Sequence, residues 1–523
     1  MIGNFLKQKR LAMGLTQDFV AKQLNISRQA ISNWENGSRD INIRDLIAYA
    51  KILEISFEDL EVHVNRIDGN SNQDTPKASR RRLPTHFNME ISKTNRIRPT
   101  KHIKIEGDKV VGVHILLTSL FFHGKQLTIN NCPTALDFLN ILYEFGNNEW
   151  VESTTNKDSI KLIPQKNPYD ITTLNRISRA SIGIISSLTY KFHQLLFTFP
   201  GGDNFCFRPI DLHLDILSII ANYQYDNIGK LFYSEKNDFL NKNVSFNCYA
   251  NGSKSVGAFF NAISLAYVYP NEITINGISP DPTISYLVDL LKKSTNRKVK
   301  YLTPNKISIS KVDTIEISSA ELTLPPDMSM LVSYVLLFWD SLNDIIFDNV
   351  SINDIPESYL NLFYKLGLSV QENNNTIRFT KKSEIDYEYF EFLRLGGAPF
   401  ITTDLGPIIS EFLASYNVPS IIFDEVFINR FSHVSELKKL GINLKVLDNG
   451  ALKTLPRTNL PLEKTNKFDL KDIRAGMAIL MGINQTNISS ATLYNFDQVL
   501  QGFGNINDVL KELGYEGVLH GKA

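Results

Sequence analysis

A proline and two adjacent glycines begin the stretch Pro200-Gly201-Gly202-Asp203-Asn204-Phe205-Cys206-Phe207-Arg208-Pro209-Ile210-Asp211-Leu212-His213. Apolar runs at 195–199 and 214–220 flank it, which predicts a strand, a loop and a buried helix in that order. Paired glycines relax the backbone, so such a loop can approach a ligand closely. It would carry an acid (Asp203), a permanent cation (Arg208) and an imidazole (His213). The alternative is a surface turn with solvated charges, and only the rest of the chain can decide between the two.

The composition indicates a multidomain globular protein without a strong charge bias. With 523 residues and 43% apolar content, the chain is long enough for two or three domains, and its formal net charge is +0. We find no uninterrupted apolar run of about 18 residues and no apolar leader after Met1, so we expect a cytoplasmic protein with no membrane partner. The cysteines Cys132, Cys206 and Cys248 are odd in number and widely spaced, and we expect no disulfide, no metal site and no cofactor.

Residues 1–65 predict an all-α domain of short helices. Two of these helices, separated by Asn25-Ile26-Ser27, have the spacing of a helix-turn-helix, whose second helix enters the DNA major groove. The pattern from Thr16 to Gly37 resembles the Cro/C1-type (Xre) helix-turn-helix family. This resemblance implies DNA as a partner and dimerisation on a palindromic operator. The expected DNA-binding residues are Gln17, Arg28, Gln29, Ser32 and Asn33. A small helical module that binds protein is the alternative.

A basic segment follows this domain. Residues 1–65 contain eight basic and eight acidic side chains, whereas residues 66–102 contain nine basic and three acidic ones. We therefore predict a basic flexible linker at 66–95, which could follow the phosphate backbone of DNA. A solvated linker without a partner is the alternative.

The remaining chain repeats itself six times. A β-rich run, a polar or glycine-containing break and an amphipathic helix recur, and the runs begin at 127, 196, 273, 345, 421 and 492. A period of about 70 residues is long enough for a small α/β subdomain, so six copies predict two globular halves of three repeats each.

This architecture resembles the enolpyruvyl transferases, and several motifs resemble the branch of UDP-N-acetylglucosamine 1-carboxyvinyltransferase. The motifs are Arg179-Ala180-Ser181, the loop at 200–213, Ser255-Val256-Gly257, Thr403-Asp404, the segment 429–437 and Asp472-Ile473-Arg474-Ala475-Gly476. The resemblance covers about residues 96–523. It implies a two-lobed, inside-out α/β fold, with lobe A at about 109–324 and lobe B at 96–108 plus 325–523.

The resemblance also implies a cleft that binds phosphoenolpyruvate and a UDP-sugar. It gives Asp203, Asp404 and Lys109 catalytic roles, with Asp404 as the base and Asp203 at the position of the loop cysteine of the family. The implied substrate-binding residues are Arg179, Arg208, His213, Ser255, Val256, Gly257, Val426, Arg430 and Arg474. Two departures weaken catalysis: Val110 replaces an asparagine that holds substrate, and a late arginine falls at Gln498 or in a short insertion.

Three hypotheses follow from the sequence. The first is a DNA-binding regulator whose transferase-like domain senses a UDP-sugar, phosphoenolpyruvate or a related metabolite. The second is an active carboxyvinyltransferase that also binds DNA, and the third is a structural scaffold. The fused helix-turn-helix, together with Val110 and Gln498, favours the first.

Overall fold

A computed structural model describes most of the chain. The described residues are 6–7, 9–11, 15–24, 26–36, 49, 87–94, 101–156, 158–201, 208–227, 230–237, 242–250, 253–427, 430–457 and 466–521. The chain forms two compact units, Met1–Asn88 with Leu519–Ala523, and Met89–Val518. In the described part, no helix has the length and apolar character needed to cross a membrane.

The first unit contains the two helices of the predicted helix-turn-helix, Gln17–Leu24 and Arg28–Asn36. Hydroxyl groups cap both, since Thr16 Oγ1 accepts from the Phe19 amide at 3.1 Å and Ser27 Oγ from the Ala30 amide at 3.2 Å. The helices share a small core of buried side chains: Leu6, Val20, Ala21, Ile31, Trp34 and Tyr49. Between residues 37 and 86, Tyr49 is the one residue that the structure describes.

A buried ion pair also holds this unit together. The Arg10 guanidinium donates to both carboxylate oxygens of Glu35, from Nε at 2.6 Å and from Nη2 at 2.9 Å. Gln17 donates to the same carboxylate at 2.8 Å, and the Tyr49 hydroxyl also donates to it. Burial alone would raise the pKa of Glu35, but the hydrogen bonds from Arg10, Tyr49 and Gln17 outweigh it and lower that pKa.

The second unit is built from β-sheets and buried helices. Its strands, numbered in chain order, are β1 (Phe87–Lys93), β2 (Lys101–Lys104), β3 (Leu127–Asn130), β4 (Val151–Asn156), β5 (Ser159–Pro164), β6 (Gln194–Thr198), β7 (Ala221–Asp226), β8 (Leu231–Lys236), β9 (Val244–Asn247), β10 (Tyr249–Ala250), β11 (Ser253–Lys254), β12 (Ile273–Asn276), β13 (Val299–Thr303), β14 (Lys306–Ile309), β15 (Ala320–Thr323), β16 (Ile345–Asp348), β17 (Leu368–Asn373), β18 (Thr376–Lys381), β19 (Phe392–Gly396), β20 (Ile401–Thr402), β21 (Ile421–Asp424), β22 (Leu444–Val446), β23 (Leu452–Thr454), β24 (Lys467–Asp469), β25 (Ser490–Tyr494) and β26 (Tyr515–Gly521).

Apart from the small hairpin β10-β11, the described strands form six sheets with one recurring order. The orders are β4-β5-β3-β15, β7-β8-β6, β13-β14-β12-β9, β17-β18-β16-β2, β22-β23-β21-β19-β20 and β26-β1-β25-β24. Strands β3, β6, β12, β16, β21 and β25 contain the six apolar runs predicted from the sequence, one in each sheet. In five sheets this strand pairs in parallel with a neighbour, and only in β7-β8-β6 does it end the sheet. The sixfold repeat is therefore confirmed.

Helices fill the interior of the unit and the sheets lie outside them. The helix Gly406–Ser415 is buried at all ten positions, and Ile473–Gln485 at eleven of thirteen. A helix that is buried on every side lies in a core, so this arrangement is the predicted inside-out fold. The described α-helices of this unit are Lys109–Thr118, Leu136–Asn147, Thr172–Ile177, Ile185–Phe192, Asp211–Ile220, Val256–Ser264, Pro282–Ser294, Met328–Leu337, Glu357–Lys365, Tyr387–Glu391, Gly406–Ser415, Ser432–Lys439, Ile473–Gln485, Asp497–Leu500 and Ile506–Glu512.

The end of the predicted linker is a strand, which corrects the sequence-based expectation for residues 87–93. Phe87, Met89 and Ile91 are buried while Glu90 is exposed, so this segment alternates as a half-buried strand does. It pairs antiparallel with β25, with Met89 opposite Leu493. The linker was predicted from the basic side chains nearby, and that prediction did not take the alternation into account.

Two chain crossings join the halves of the unit. Strand β2 pairs with β16 and strand β15 with β3, and the residues after β2 and β15 meet in an antiparallel bridge between Gly107 and Pro326. A side chain at position 107 would place Cβ 1.7 Å from the Asn131 carbonyl oxygen, so only glycine fits there. The crossings lead directly into the buried helices Lys109–Thr118 and Met328–Leu337.

Candidate active site

A cavity of about 320 Å³ in the second unit collects most of the predicted site residues. Its lining contains five cations and two carboxylates, a net charge of +3, and the remaining side chains are neutral. The lining residues are Lys109, Val110, Val113, His114, Asp137, Ser178, Arg179, Ala180, Ile182, Arg208, His213, Val256, Gly257, Asp404, Phe427, Arg430, Ile473, Arg474 and Gln501.

Several helices begin at this cavity. Lys109, Val256 and Ile473 are the first residues of three of the buried helices, and Asp404 lies in the short 3₁₀ turn that leads into a fourth. Helix N-termini carry partial positive charge and amide donors, so they add to the attraction for anions. The buried helices thus explain why residues distant in sequence converge on one anion-binding surface.

One wall of the cavity is a network of arginines and aspartates. Asp404 accepts from Arg430 Nη1 at 2.7 Å through Oδ1 and from Arg474 Nη2 at 3.1 Å through Oδ2. Arg430 also reaches Asp472 at 3.4 Å, and Asp472 caps the helix that begins at Ile473. The arginine side chains are 3% and 6% exposed, whereas that of Asp404 is 39% exposed. The arginines therefore belong to the wall and the carboxylate faces the cavity.

This network controls the charge of Asp404. Burial opposes its ionisation, but Arg474 and Arg430, with Lys109 contributing less, outweigh burial and lower the pKa of Asp404 well below its usual range. The carboxylate is therefore ionised at neutral pH and, while both arginines hold it, is a weak base.

A second group of lining residues contains Arg179, Arg208 and His213. Arg179 donates from Nη2 to the carbonyl oxygens of Arg208 at 2.9 Å and Pro209 at 3.0 Å, so it fixes the chain where the predicted loop returns to the cavity. Burial, with Arg179 and His114 nearby, lowers the pKa of His213 to about 3, so the imidazole is neutral. A Cβ added at Gly257 would lie 3.3 Å from this imidazole.

Lys109 lines the cavity together with its apolar neighbour Val110. Lys109 Nζ lies 3.6 Å from Asp137 Oδ2, and both side chains are largely buried. Val110 is 40% exposed, a high value for valine, and it projects into the cavity where the resemblance implies an asparagine. The His114 ring forms a 2.6 Å hydrogen bond with the Val110 carbonyl oxygen, and burial lowers the pKa of His114.

Nine of the twelve predicted catalytic and substrate-binding residues line this cavity, whereas Ser255 and Val426 do not. Ser255 caps the helix that begins at Val256, accepting from the Ala258 amide at 3.1 Å. Val426 is outside the lining, while its neighbour Phe427 is part of it. Asp203 lies outside the described residues, as does Cys206. Gln498 donates to Asp497 at 3.3 Å, and Gln501 instead reaches the cavity.

Sequence reasoning missed five polar or aromatic lining residues: Asp137, His114, Ser178, Phe427 and Gln501. Asp137 reads as an ordinary acidic residue in the first turn of a helix, and His114 as a core histidine. A search for polar residues on the helices that follow each repeated strand would have found Asp137, because that helix begins at Leu136.

Four of the five predicted DNA-binding residues lie on the second helix of the first unit, and Gln17 begins the first helix. Arg28 and Gln29 are exposed, and Ser32 and Asn33 are half-buried on the same helix. Gln29 donates to Asn33 at 3.0 Å, and Arg28 lies 3.8 Å from Asp18. Gln17 is half-buried and bonded to Glu35.

The fold and the cation-lined cavity define the enolpyruvyl transferase class. Residues 93–510 match the family model of EPSP synthase (3-phosphoshikimate 1-carboxyvinyltransferase), and residues 6–60 match a helix-turn-helix model. The chain therefore belongs to the EPSP synthase family and carries an N-terminal helix-turn-helix of the Cro/C1 type.

Relatives of the second unit are UDP-N-acetylglucosamine 1-carboxyvinyltransferases. The second such enzyme of Lactiplantibacillus plantarum is 25% identical over 393 residues, 74% of this chain and 86% of that enzyme. The enzyme of Wolbachia pipientis is 25% identical over 429 residues, 79% of this chain and 95% of its own length. The crystal structure of the enolpyruvyl transferase NikO from Streptomyces tendae has a TM-score of 0.69 at 14% identity, covering 84% of this chain and 100% of that chain, and it shows the fold alone.

Proposed function

We propose that this protein is a DNA-binding transcriptional regulator whose enolpyruvyl transferase domain binds a UDP-sugar, phosphoenolpyruvate or both as a sensor. The observation that carries the proposal is a cavity of net charge +3 in a chain that also carries a helix-turn-helix. The ligand class follows from the charge, because phosphate and carboxylate groups are what convergent arginines and helix N-termini bind best.

Three features of the cavity favour sensing over catalysis. Val110 offers no hydrogen bond to a substrate, and Gln501 is a neutral residue in the lining. Asp404, the implied base, has both oxygens engaged by arginines. Loss of one neutral donor in a reactive site costs about 10²–10³ in rate by analogy with oxyanion holes, so these features weaken turnover more than binding.

DNA binding completes the proposal. A second helix with exposed Arg28 and Gln29 has the side chains that contact phosphates and base edges. We expect the full chain to bind a palindromic site as a dimer, since half-sites one helical turn apart need two copies of the module. Ligand binding would then change DNA affinity through different affinities of the ligand for two states of the protein.

The test measures DNA binding with and without ligand. DNA selected by the full-length protein from a random-sequence library is labelled, and its affinity is measured by fluorescence anisotropy at fixed salt. We expect UDP-N-acetylglucosamine or phosphoenolpyruvate to change that affinity by about fivefold or more, the lower end of typical couplings. Ligand binding in a thermal-shift assay without any change in DNA affinity would show that the sensing role is wrong.

An active carboxyvinyltransferase that also binds DNA is the second candidate. Lys109 and Asp404 both line the cavity and favour this candidate. It predicts phosphate release from phosphoenolpyruvate that depends on a UDP-sugar and is abolished by Asp404→Ala or Asp203→Asn. It also predicts indifference to fosfomycin, because Asp203 has no thiol to alkylate. Absence of turnover across a panel of UDP-sugars would remove it.

A further inference from the structure

We propose that Asp404 occupies the anion site of the resting protein as an internal counter-ion, and that an oxyanion ligand binds by displacing it from Arg430 and Arg474. The proposal rests on the proposed function in taking the cavity as an anion site. It adds a competition between ligand and protein for the same two guanidinium groups.

The first support is the geometry of the contact. One carboxylate bridges two arginines, with Oδ1 2.7 Å from Arg430 Nη1 and Oδ2 3.1 Å from Arg474 Nη2. A phosphate or carboxylate ligand would use the same donors in the same way, because two oxygens of one anion suit two converging guanidinium groups. A ligand that takes the N–H groups now bonded to Asp404 must displace its carboxylate.

The second support is the difference in exposure between the partners. The arginine side chains are 3% and 6% exposed and are enclosed by protein, whereas the Asp404 side chain is 39% exposed. Asp404 also lies in a three-residue 3₁₀ turn, Thr403–Leu405, next to the open space of the cavity. A displaced Asp404 carboxylate can therefore be hydrated at little cost.

The third support is a second counter-ion that stays in place. Asp472 is 0% exposed, lies 3.4 Å from Arg430, and accepts from the Arg474 and Ala475 amides at 3.0 Å each and from the Ser432 hydroxyl at 2.6 Å. With Asp472 fixed, Arg430 keeps a negative partner when Asp404 leaves, and the entering anion replaces Asp404 on Arg474. Buried arginines without any counter-ion would be costly, so this arrangement makes the exchange feasible.

The fourth support is the surplus of positive charge around the exchange site. Lys109, Arg179 and Arg208 line the same cavity, so an entering phosphate dianion gains more cationic partners than Asp404 has. The exchange consequently selects against weak monoanions.

The experiment compares two carboxylates of the same cavity. Binding of inorganic phosphate and of phosphoenolpyruvate to the full-length protein is measured by calorimetry at constant ionic strength for wild type, Asp404→Asn and Asp137→Asn. Each variant removes one negative charge from the cavity, but only Asp404 holds the arginine pair, whereas Asp137 lies 3.6 Å from Lys109. If Asp404 leaves the pair open in about a tenth of wild-type molecules, Asp404→Asn should bind phosphate about tenfold more tightly.

We expect less than about threefold tightening for Asp137→Asn, since that change releases Lys109 but leaves Asp404 on the arginine pair. Equal gains in both variants would overturn the proposal, because field strength would then explain them. Weaker phosphate binding by Asp404→Asn would overturn it too, since Asp404 would then be ordering the arginines for the ligand. Absence of phosphate and phosphoenolpyruvate binding in both wild type and Asp404→Asn would have the same meaning.

Folding and the proposed function are tested separately. Thermal unfolding without ligand checks each variant, and Asp404→Ser replaces Asp404→Asn if the amide variant does not fold. All of these measurements are made without DNA. DNA affinity is measured separately, in the anisotropy assay. Phosphate binding that leaves DNA affinity unchanged would contradict the sensing role but not the counter-ion exchange. A change in DNA affinity without tighter phosphate binding by Asp404→Asn would contradict the exchange but not the sensing role.

Discussion

The buried ion pair of the helix-turn-helix unit should control DNA binding without affecting the cavity. The side chains of Arg10 and Glu35 are 6% and 0% exposed. Truncating Glu35→Ala leaves a buried guanidinium without its counter-ion, a change that costs about 3–5 kcal/mol. A domain of this size has about 3–9 kcal/mol of unfolding free energy in total, from ~0.05–0.15 kcal/mol per residue. The substitution should therefore remove between about a third and all of that free energy and raise the unfolded fraction of this unit.

Hydrogen exchange followed by mass spectrometry in the full-length protein measures the effect directly. We expect the amides of Gln17–Leu24 and Arg28–Asn36 to lose protection and DNA binding to disappear, while ligand binding to the cavity stays unchanged. Acid should act in the same direction. The folded-state pKa of Glu35 is lowered, so its stabilisation is full above the unfolded pKa of about 4.3 and is lost as pH falls through the folded value.

Two controls separate the buried pair from charge in general. Asp18→Asn removes an exposed partner of Arg28, both side chains being more than 60% exposed, and should cost less than about 1 kcal/mol. The combined substitutions Arg10→Met, Glu35→Leu and Tyr49→Phe should recover part of the stability, because apolar groups of similar volume often replace a buried ion pair without loss and Tyr49→Phe removes the hydroxyl that would lose its acceptor. Unchanged exchange in both helices of Glu35→Ala would refute the reasoning.

Three further predictions concern the DNA face and the cavity. Arg28→Ala should weaken DNA binding and lower the slope of log affinity against log salt by about one, as measured by anisotropy at several salt concentrations. Val110→Asn should tighten phosphoenolpyruvate binding by about 0.5–1.5 kcal/mol in calorimetry by supplying a hydrogen bond, and unchanged affinity would mean that position 110 does not touch the ligand. His213→Gln should flatten the acid side of the thermal stability profile. The folded-state pKa is about 3 and the unfolded one about 6.5, so wild-type stability falls as pH falls between them.

The repeated strands could be predicted because each carries its own local signal. A short β-rich run such as Ile273–Asn276 or Ile421–Asp424 forms the strand in which it was predicted, and its recurrence six times corrects for the ambiguity of any single run. A glycine just after a helix is a second local signal, because it marks the helix end. Gly367, Gly441 and Gly514 follow helices and all have positive φ. Gly146 differs because it lies inside the helix Leu136–Asn147.

The contacts of the cavity could not be predicted in the same way. Lys109 meets Asp137 only because two helices of the first repeat begin beside each other, and nothing in either local sequence shows this. The sequence comparison placed the late arginine of the family at Gln498 or in a short insertion. In the structure Gln498, on the helix Asp497–Leu500, donates to Asp497, and Gln501 lines the cavity. Such contacts depend on packing between repeats, which periodicity does not record.

Buried ion pairs serve opposite purposes in the two units, and exposure decides which. In the first unit Glu35 is enclosed and has Arg10, Gln17 and Tyr49 as donors, so no ligand can compete for it and the pair is structural. In the second unit the arginines are just as enclosed, but their partner Asp404 is 39% exposed. An ion pair with one partner fixed and the other in contact with solvent can exchange that partner for a ligand, because the fixed side is already desolvated and oriented. The same chemistry therefore stabilises the DNA-binding unit and prepares the cavity for an anion.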